Sequence, residues 1–299
     1  MHMKLVMIRS RISFWRLSFL FGLMIGIRAI AVEQQNWYVA KATEIPIIDG
    51  KITDEVWSYA PTLILSIQKS MGKDKGKETT KLRLQAVYTD MELAILAIWA
   101  DETEDRTYKT WIWDSAKSRY KKGRDLEDIF SVGFPIRGPF TGDMLSPIEV
   151  EWDVWHWNAA RTDPSGYAFD RRHVHTFAQP KGKAKQISIP GGKKIWFANP
   201  ADQGYPLFSS RPKPRTFEGQ SVPSFVVNLP THSQADVQAK GIWESGRWQL
   251  ELRRKLDTGH SDDLAFTPSQ IYPVAIAIFD HSEGGRHGSS SVVKMNFRQ

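Results

Sequence analysis

Short apolar runs that alternate with polar residues, each closed by a tight turn, recur along this chain and leave little room for long helices. Lys81-Leu-Arg-Leu-Gln-Ala-Val-Tyr88 alternates with period two. A strand with one wet face must do so, because successive side chains of an extended backbone point to opposite sides. Glu92-Leu-Ala-Ile-Leu-Ala-Ile-Trp99 follows across Thr89-Asp90-Met91 and is predicted to be its hairpin partner. Val237-Gln-Ala-Lys-Gly-Ile-Trp243 and Arg247-Trp-Gln-Leu-Glu-Leu-Arg-Arg254 form a second predicted hairpin. Further strands are predicted at 63–67, 128–134, 150–157, 272–279 and 290–297. One helical turn is predicted near 53–57, with Thr53 as its cap and Asp54 and Glu55 at its positive end. The stretch 158–235 is rich in Gly, Pro, Ser and Lys with little periodicity, and reads as a loop-rich insertion. The pattern predicts an all-β chain: an antiparallel β-sandwich with long loops and a few short helices, in one domain spanning 32–299.

Residues 1–31 read as a signal peptide. Lys4, Arg9, Arg11 and Arg16 precede an apolar run at 17–27, and Ala29-Ile30-Ala31 offers a small-x-small cleavage site. The run is shorter than the roughly 20 residues that span a bilayer. The expectation is an exported protein, periplasmic or in an equivalent compartment, with no stable membrane span after cleavage. The segment also carries Arg28 and no acidic residue, so removing its five basic residues from 40 leaves 35 against 33 acidic ones. A net charge of +2 gives no basis for nucleic-acid binding. The chain has no cysteine. Disulfides, a CxxCH haem attachment, thiolate-held zinc and iron–sulfur ligation are therefore excluded.

The segment Glu149-Val-Glu-Trp-Asp-Val-Trp-His-Trp-Asn-Ala-Ala-Arg161 concentrates Trp152, Trp155, Trp157, His156 and Arg161, with Met144 just upstream. An aromatic wall beside a thioether and an imidazole suits a large flat cofactor, held here without covalent links. Period two places Val154, His156 and Asn158 on one face and Asp153, Trp155 and Trp157 on the other. Each residue also has a plainer reading. The tryptophans can be core, His156 a hydrogen-bonded pocket residue, Arg161 a surface ion pair, Met144 loop packing, and His287 a solvated loop histidine. His173-Val-His175 could hold a metal from one strand face, or be incidental. No Gly-rich phosphate loop, nucleophile elbow, HExxH or catalytic dyad is present.

Three blocks carry a family resemblance. Ile48-Asp-Gly-Lys-Ile-Thr-Asp-Glu-Val-Trp57 resembles the opening of sandwich domains of the family 9 carbohydrate-binding-module type. Trp152-Asp-Val-Trp-His-Trp-Asn-Ala-Ala-Arg161 with Pro164-Ser-Gly-Tyr167 resembles the haem-binding γ subunits related to ethylbenzene dehydrogenase. Tyr272-Pro-Val-Ala-Ile-Ala-Ile-Phe-Asp280 and the Gly/Ser-rich loop after it are similar to that group's C-terminal end. The group comprises exported subunits of dimethyl sulfoxide reductase-type molybdenum enzymes. Among them is the C subunit of nitrite oxidoreductase, the counterpart expected for this chain. The resemblance implies one noncovalent haem b that relays electrons between an iron–sulfur subunit and a soluble cytochrome c. It further implies that catalysis lies in a molybdopterin partner subunit and that this chain is not itself an enzyme.

The family's methionine ligand falls on Met144. Its lysine ligand has no counterpart, because 280–291 contains no lysine. His287 stands nearest that place, with His281 as the fallback, and His156, Trp155, Trp157 and Arg161 are the remaining expected cofactor contacts. The rival expectation is a secreted carbohydrate-binding module whose tryptophans stack on sugar rings.

Overall fold

The computed structural model describes residues 34–70, 73–200, 202–283 and 287–298. The expected signal peptide lies outside them. Among the described residues no helix is long and apolar enough to cross a membrane.

The elements follow the period-two pattern. In chain order they are strand β1 (Asn36–Lys41), the one-turn helix α1 (Val56–Tyr59), β2 (Leu63–Lys69), β3 (Glu78–Tyr88) and β4 (Glu92–Ala100). Next come the small strands β5 (Trp111–Asp114) and β6 (Arg119–Lys122), then the long pair β7 (Ile129–Arg137) and β8 (Val150–Asn158). The stretch read as loop-rich holds β9 (Phe169–Thr176), β10 (Ala184–Ser188), β11 (Lys194–Ala198), β12 (Phe208–Ser210), β13 (Ser221–Val222) and β14 (Phe225–Val227). The chain closes with β15 (Gln238–Trp243), β16 (Arg247–Lys255), β17 (Ile271–Phe279), β18 (Gly288–Ser289) and β19 (Val293–Arg298).

Fourteen strands join in one sheet that doubles over into two layers. One layer runs β10-β11-β9-β8-β7-β17, and the other runs β2-β3-β4-β16-β15. β18 links β17 to β2, while β19 and β1 link β17 to β3, so the layers are continuous along that side. The pairing is antiparallel throughout this sheet except at β1, which runs parallel to both β19 and β3. The fold is an all-β sandwich, as the alternation predicts.

The interior is aromatic. Trp99 on β4 stacks on Phe130 of β7 at 5.7 Å between ring centroids, and Trp157 of β8 meets Trp248 of β16 at 5.0 Å. Trp155 and Trp157 are both fully buried there. Gly241 on β15 is glycine because a Cβ would lie 2.4 Å from Trp157 Cζ2. Arg254 is buried in the same interior, bonding Asp153 at 2.7 Å and Asp170 at 3.1 Å. Burial alone would lower its pKa; the carboxylates of Asp153, Asp170 and Asp263 outweigh that and raise it.

The segment around α1 covers the outer face of β3 and β4, where Trp57 and Val56 pack on Val87, Ala94 and Leu96. Glu251, fully buried, ties it down by accepting from Trp57 Nε1 at 2.8 Å and from the Gly50 amide at 2.8 Å. The Ile48–Trp57 motif is therefore a lid on the second layer, far in topology from the tryptophan-rich strand.

Candidate functional site

The outer face of the β9-β8-β7-β17 layer is where sequence-singled residues converge. Strand register fixes which side chains share it. Gly133 opposes Val154 and Ala275, and Ser131 opposes His156 and Ala277. On the far side Val154 opposes Arg171, Trp152 opposes His173, and Val150 opposes His175. The centre of this face is made of small residues: Ser131, Gly133, Ala275 and Ala277. A Cβ on Gly133 would stand 3.4 Å from the Trp152 ring and 3.6 Å from Val154. The glycine thus lets the Trp152 ring and Val154 close over the sheet at the centre of this small-residue patch.

Two loops pack on this face. The first carries Met144. Its Gly142 has φ +70° and sits so close to the sheet that a Cβ would be 2.9 Å from Ala275 Cβ and 3.0 Å from Val292. A residue larger than glycine would lift the loop. Met144 then packs with Phe140 and Ile148 against Val150, Trp152 and Val154. The second loop carries His287, whose ring lies 4.6 Å from that of Phe279 on β17. Phe279 in turn meets His156 edge-on at 6.0 Å. The loops touch β17 at residues 275 and 279, about 13 Å apart at a rise of about 3.3 Å per residue.

His156 Nδ1 shares a hydrogen bond of 2.7 Å with Ser131 Oγ. Burial first, then the positive charge of Arg171, holds its pKa well below the ordinary histidine value. His173 is pushed down to about 3 by burial, with Arg171 and His175 adding to the effect. His175, also lowered by burial, stacks on Trp152 at 5.4 Å with the rings 22° apart. All three imidazoles are neutral at physiological pH. Neither ring nitrogen of His175 has a hydrogen-bond partner, nor does Nδ1 of His173 or Nε1 of Trp152.

Other expected residues lie elsewhere. Trp155 and Trp157 do not line this face. Alternation turns them inward with Asp153, so that of the three tryptophans only Trp152 belongs to this face, and at 6% exposure it is wedged between Phe140 and His175. No exposed tryptophan platform for a sugar ring arises from this strand. Arg161 is held by Glu127, a fully buried carboxylate, and its guanidinium lies 3.8 Å over the Tyr108 ring. His281 is exposed and turned away: its ring bonds Asp105 at 2.9 Å and its amide bonds Asp128 at 3.1 Å. It belongs to a carboxylate cluster of Asp101, Asp128 and Asp280 at the end of β7 and β17. Among the described residues, the groups of three whose ligand atoms come within 4.8 Å of one another include none of His156, His173 and His175. That geometry does not favour a metal carrier built on these imidazoles.

Arg171 escaped the sequence reading. It follows Phe169-Asp170 in a stretch with no clear periodicity, and only the pairing of β9 with β8 reveals that it shares the face of Val154 and His156.

The residues of this face fit a haem. They offer a thioether, neutral imidazoles, a small-residue floor, buried aromatic walls and no carboxylate in the floor. Residues 34–291 match the family described as ethylbenzene dehydrogenase, and the chain belongs to that family. No curated protein matches the chain. Among solved structures, a family 9 carbohydrate-binding module from Caldicellulosiruptor kristjanssonii in complex with glucose is similar at 9% identity and a TM-score of 0.38, covering 88% of this chain and 96% of that one. The same organism's family 9 module in complex with cellotriose is similar at 9% identity and a TM-score of 0.38, over 88% and 94%. Likeness at that level carries no argument about what this chain binds.

Proposed function

We propose that this member of the ethylbenzene dehydrogenase family is a haem b electron-transfer subunit of an exported molybdenum oxidoreductase complex. What supports the reading is that Met144 and His287, from loops far apart in sequence, both lie against the outer face of the β9-β8-β7-β17 layer, Met144 beside Val150, Trp152 and Val154 and His287 beside Phe279. When bound, haem would supply reversible one-electron transfer. Met144 would offer a thioether, which favours the reduced iron and raises the potential. His287 would offer the nitrogen that the absent lysine gives elsewhere in the family. Ser131 orients the ring of His156 through the hydrogen bond between its Oγ and Nδ1. Trp152, Phe140 and Phe279 keep water from the flat faces of a ligand. The chain would relay electrons between an iron–sulfur subunit and a soluble cytochrome c, with the substrate chemistry in a molybdopterin subunit. The assembly that we favour is of the nitrite oxidoreductase type.

The test is a haem titration of the mature chain, followed by absorbance, with Met144→Ala and His287→Ala alongside. Stoichiometric uptake by the parent and a changed or lost low-spin spectrum in both variants support the assignment. An unaltered spectrum in His287→Ala moves the nitrogen ligand to His156. Absence of uptake by the parent refutes the reading.

A further inference from the structure

We infer that Arg171 is the anchor for a carboxylate of the bound cofactor, and that this residue, rather than Arg161, gives the site its preference for an anionic ligand. The inference rests on the haem reading, and the carboxylate in question would be a propionate. Arg171 stands on β9 opposite Val154, on the same face as His156 and His173, and is half-buried. Its guanidinium carbon lies over the Phe169 ring, 3.6 Å from the centroid. Stacking of this kind occupies the face of the group and leaves its in-plane N–H donors directed outward. Among the described residues no carboxylate or carbonyl accepts from them.

A half-buried guanidinium with no acceptor among the described residues is placed to take an anion. Burial lowers its pKa to about 10, and the neighbouring positive charge of Arg161 adds to the effect. An uncompensated charge removed from water is costly, and proteins keep one only where something pairs with it. The acid whose charge acts on Arg171 is Asp202, and the two form no ion pair. Burial and the nearby Asp262 push the Asp202 carboxyl up to about 8, so it is largely uncharged at neutral pH. Arg161, by contrast, already has Glu127. Three neutral imidazoles and one unpaired guanidinium thus share a face, and a two-carboxylate porphyrin supplies the missing charge.

The test compares haem with haem dimethyl ester, which has the same ring and iron but no free carboxylate. Affinities are measured for the parent, Arg171→Gln and Arg171→Lys, and the melting temperature of each ligand-free protein is recorded. A charge-assisted bidentate contact predicts that Arg171→Gln weakens haem by about ten- to a hundredfold. Binding of the ester should be unchanged, and Arg171→Lys should recover part of the preference for haem. Removing an unpaired guanidinium should leave the ligand-free melting temperature level or raised. Equal weakening of haem and ester, or no weakening of either, overturns the role of Arg171 while leaving the haem reading intact. A parent protein that takes up neither pigment sinks both.

Discussion

Trp157→Phe separates the interior from the cofactor face, because the sequence offered Trp157 to both. Its Nε1 donates to Asp163 Oδ1 at 3.0 Å, and its ring is packed against Trp248 and Trp99. Asp163 is itself buried and also accepts from Arg106, Lys240 and the Gly241 amide. Loss of a hydrogen bond to a charged acceptor costs about 1.5–3 kcal/mol, and the three remaining donors place this case near the lower end. The change from indole to phenyl opens about 40 Å³, worth about 1 kcal/mol at ~24 cal/mol per Å³. The total is roughly 2.5–3.5 kcal/mol, or about 5–14 °C in Tm for a chain of this size. Trp152→Phe should cost only the cavity term, about 1 kcal/mol, since its Nε1 has no partner to lose. Urea unfolding followed by tryptophan fluorescence reads both, with haem titration as the second assay. Trp157→Phe should leave haem affinity alone. A Trp157→Phe protein of parental stability with weakened haem binding would place Trp157 at the cofactor and refute the two-faced account of β8.

Three further outcomes follow from the structure. Met144→Ala should lower the reduction potential of the haem-loaded protein in a spectroelectrochemical titration, and an unchanged potential would remove Met144 from the iron. Arg254→Met strands Asp153 and Asp170 without their cation and should cost about 3–5 kcal/mol in urea unfolding, with a loss under 1 kcal/mol counting against the buried network. Stability should also fall from pH 6.5 to 8.5. Burial raises Asp101, Glu251 and Asp263 to about 7 and Asp202 to about 8, so the folded state holds protons there that the unfolded chain has released. His156 and His173 are neutral in the folded state but partly protonated in the unfolded chain near pH 6.5, so they oppose the fall at its lower end and contribute little above about pH 7.5. Asp202→Asn should flatten the upper part of the profile, and a flat or rising Tm in the parent would contradict the assignment.

Legibility varied with how local the signal was. The β3–β4 and β15–β16 hairpins were readable because period-two alternation and a short turn are properties of neighbouring residues. The inward turn of Trp155 and Trp157 follows from the same alternation, yet chemistry alone had drawn them toward the cofactor. The strands at 169–176, 184–188 and 194–198 were hidden because their side chains are mixed and half-exposed, so apolar alternation does not mark them. Arg171 was missed for that reason: its meaning depends on a strand partner 17 residues away and on the absence of an acid nearby. Arg161 looked like the better anion ligand only because Glu127 stands 34 residues upstream, where sequence gives no hint of contact.

The most direct measurement is the reduced-minus-oxidised visible spectrum of the mature protein, prepared with iron and a porphyrin precursor in ample supply. The account predicts an intense Soret band and sharp visible bands on reduction, from one noncovalently held haem per chain. A colourless protein, with no pigment extractable by acid acetone, would contradict it.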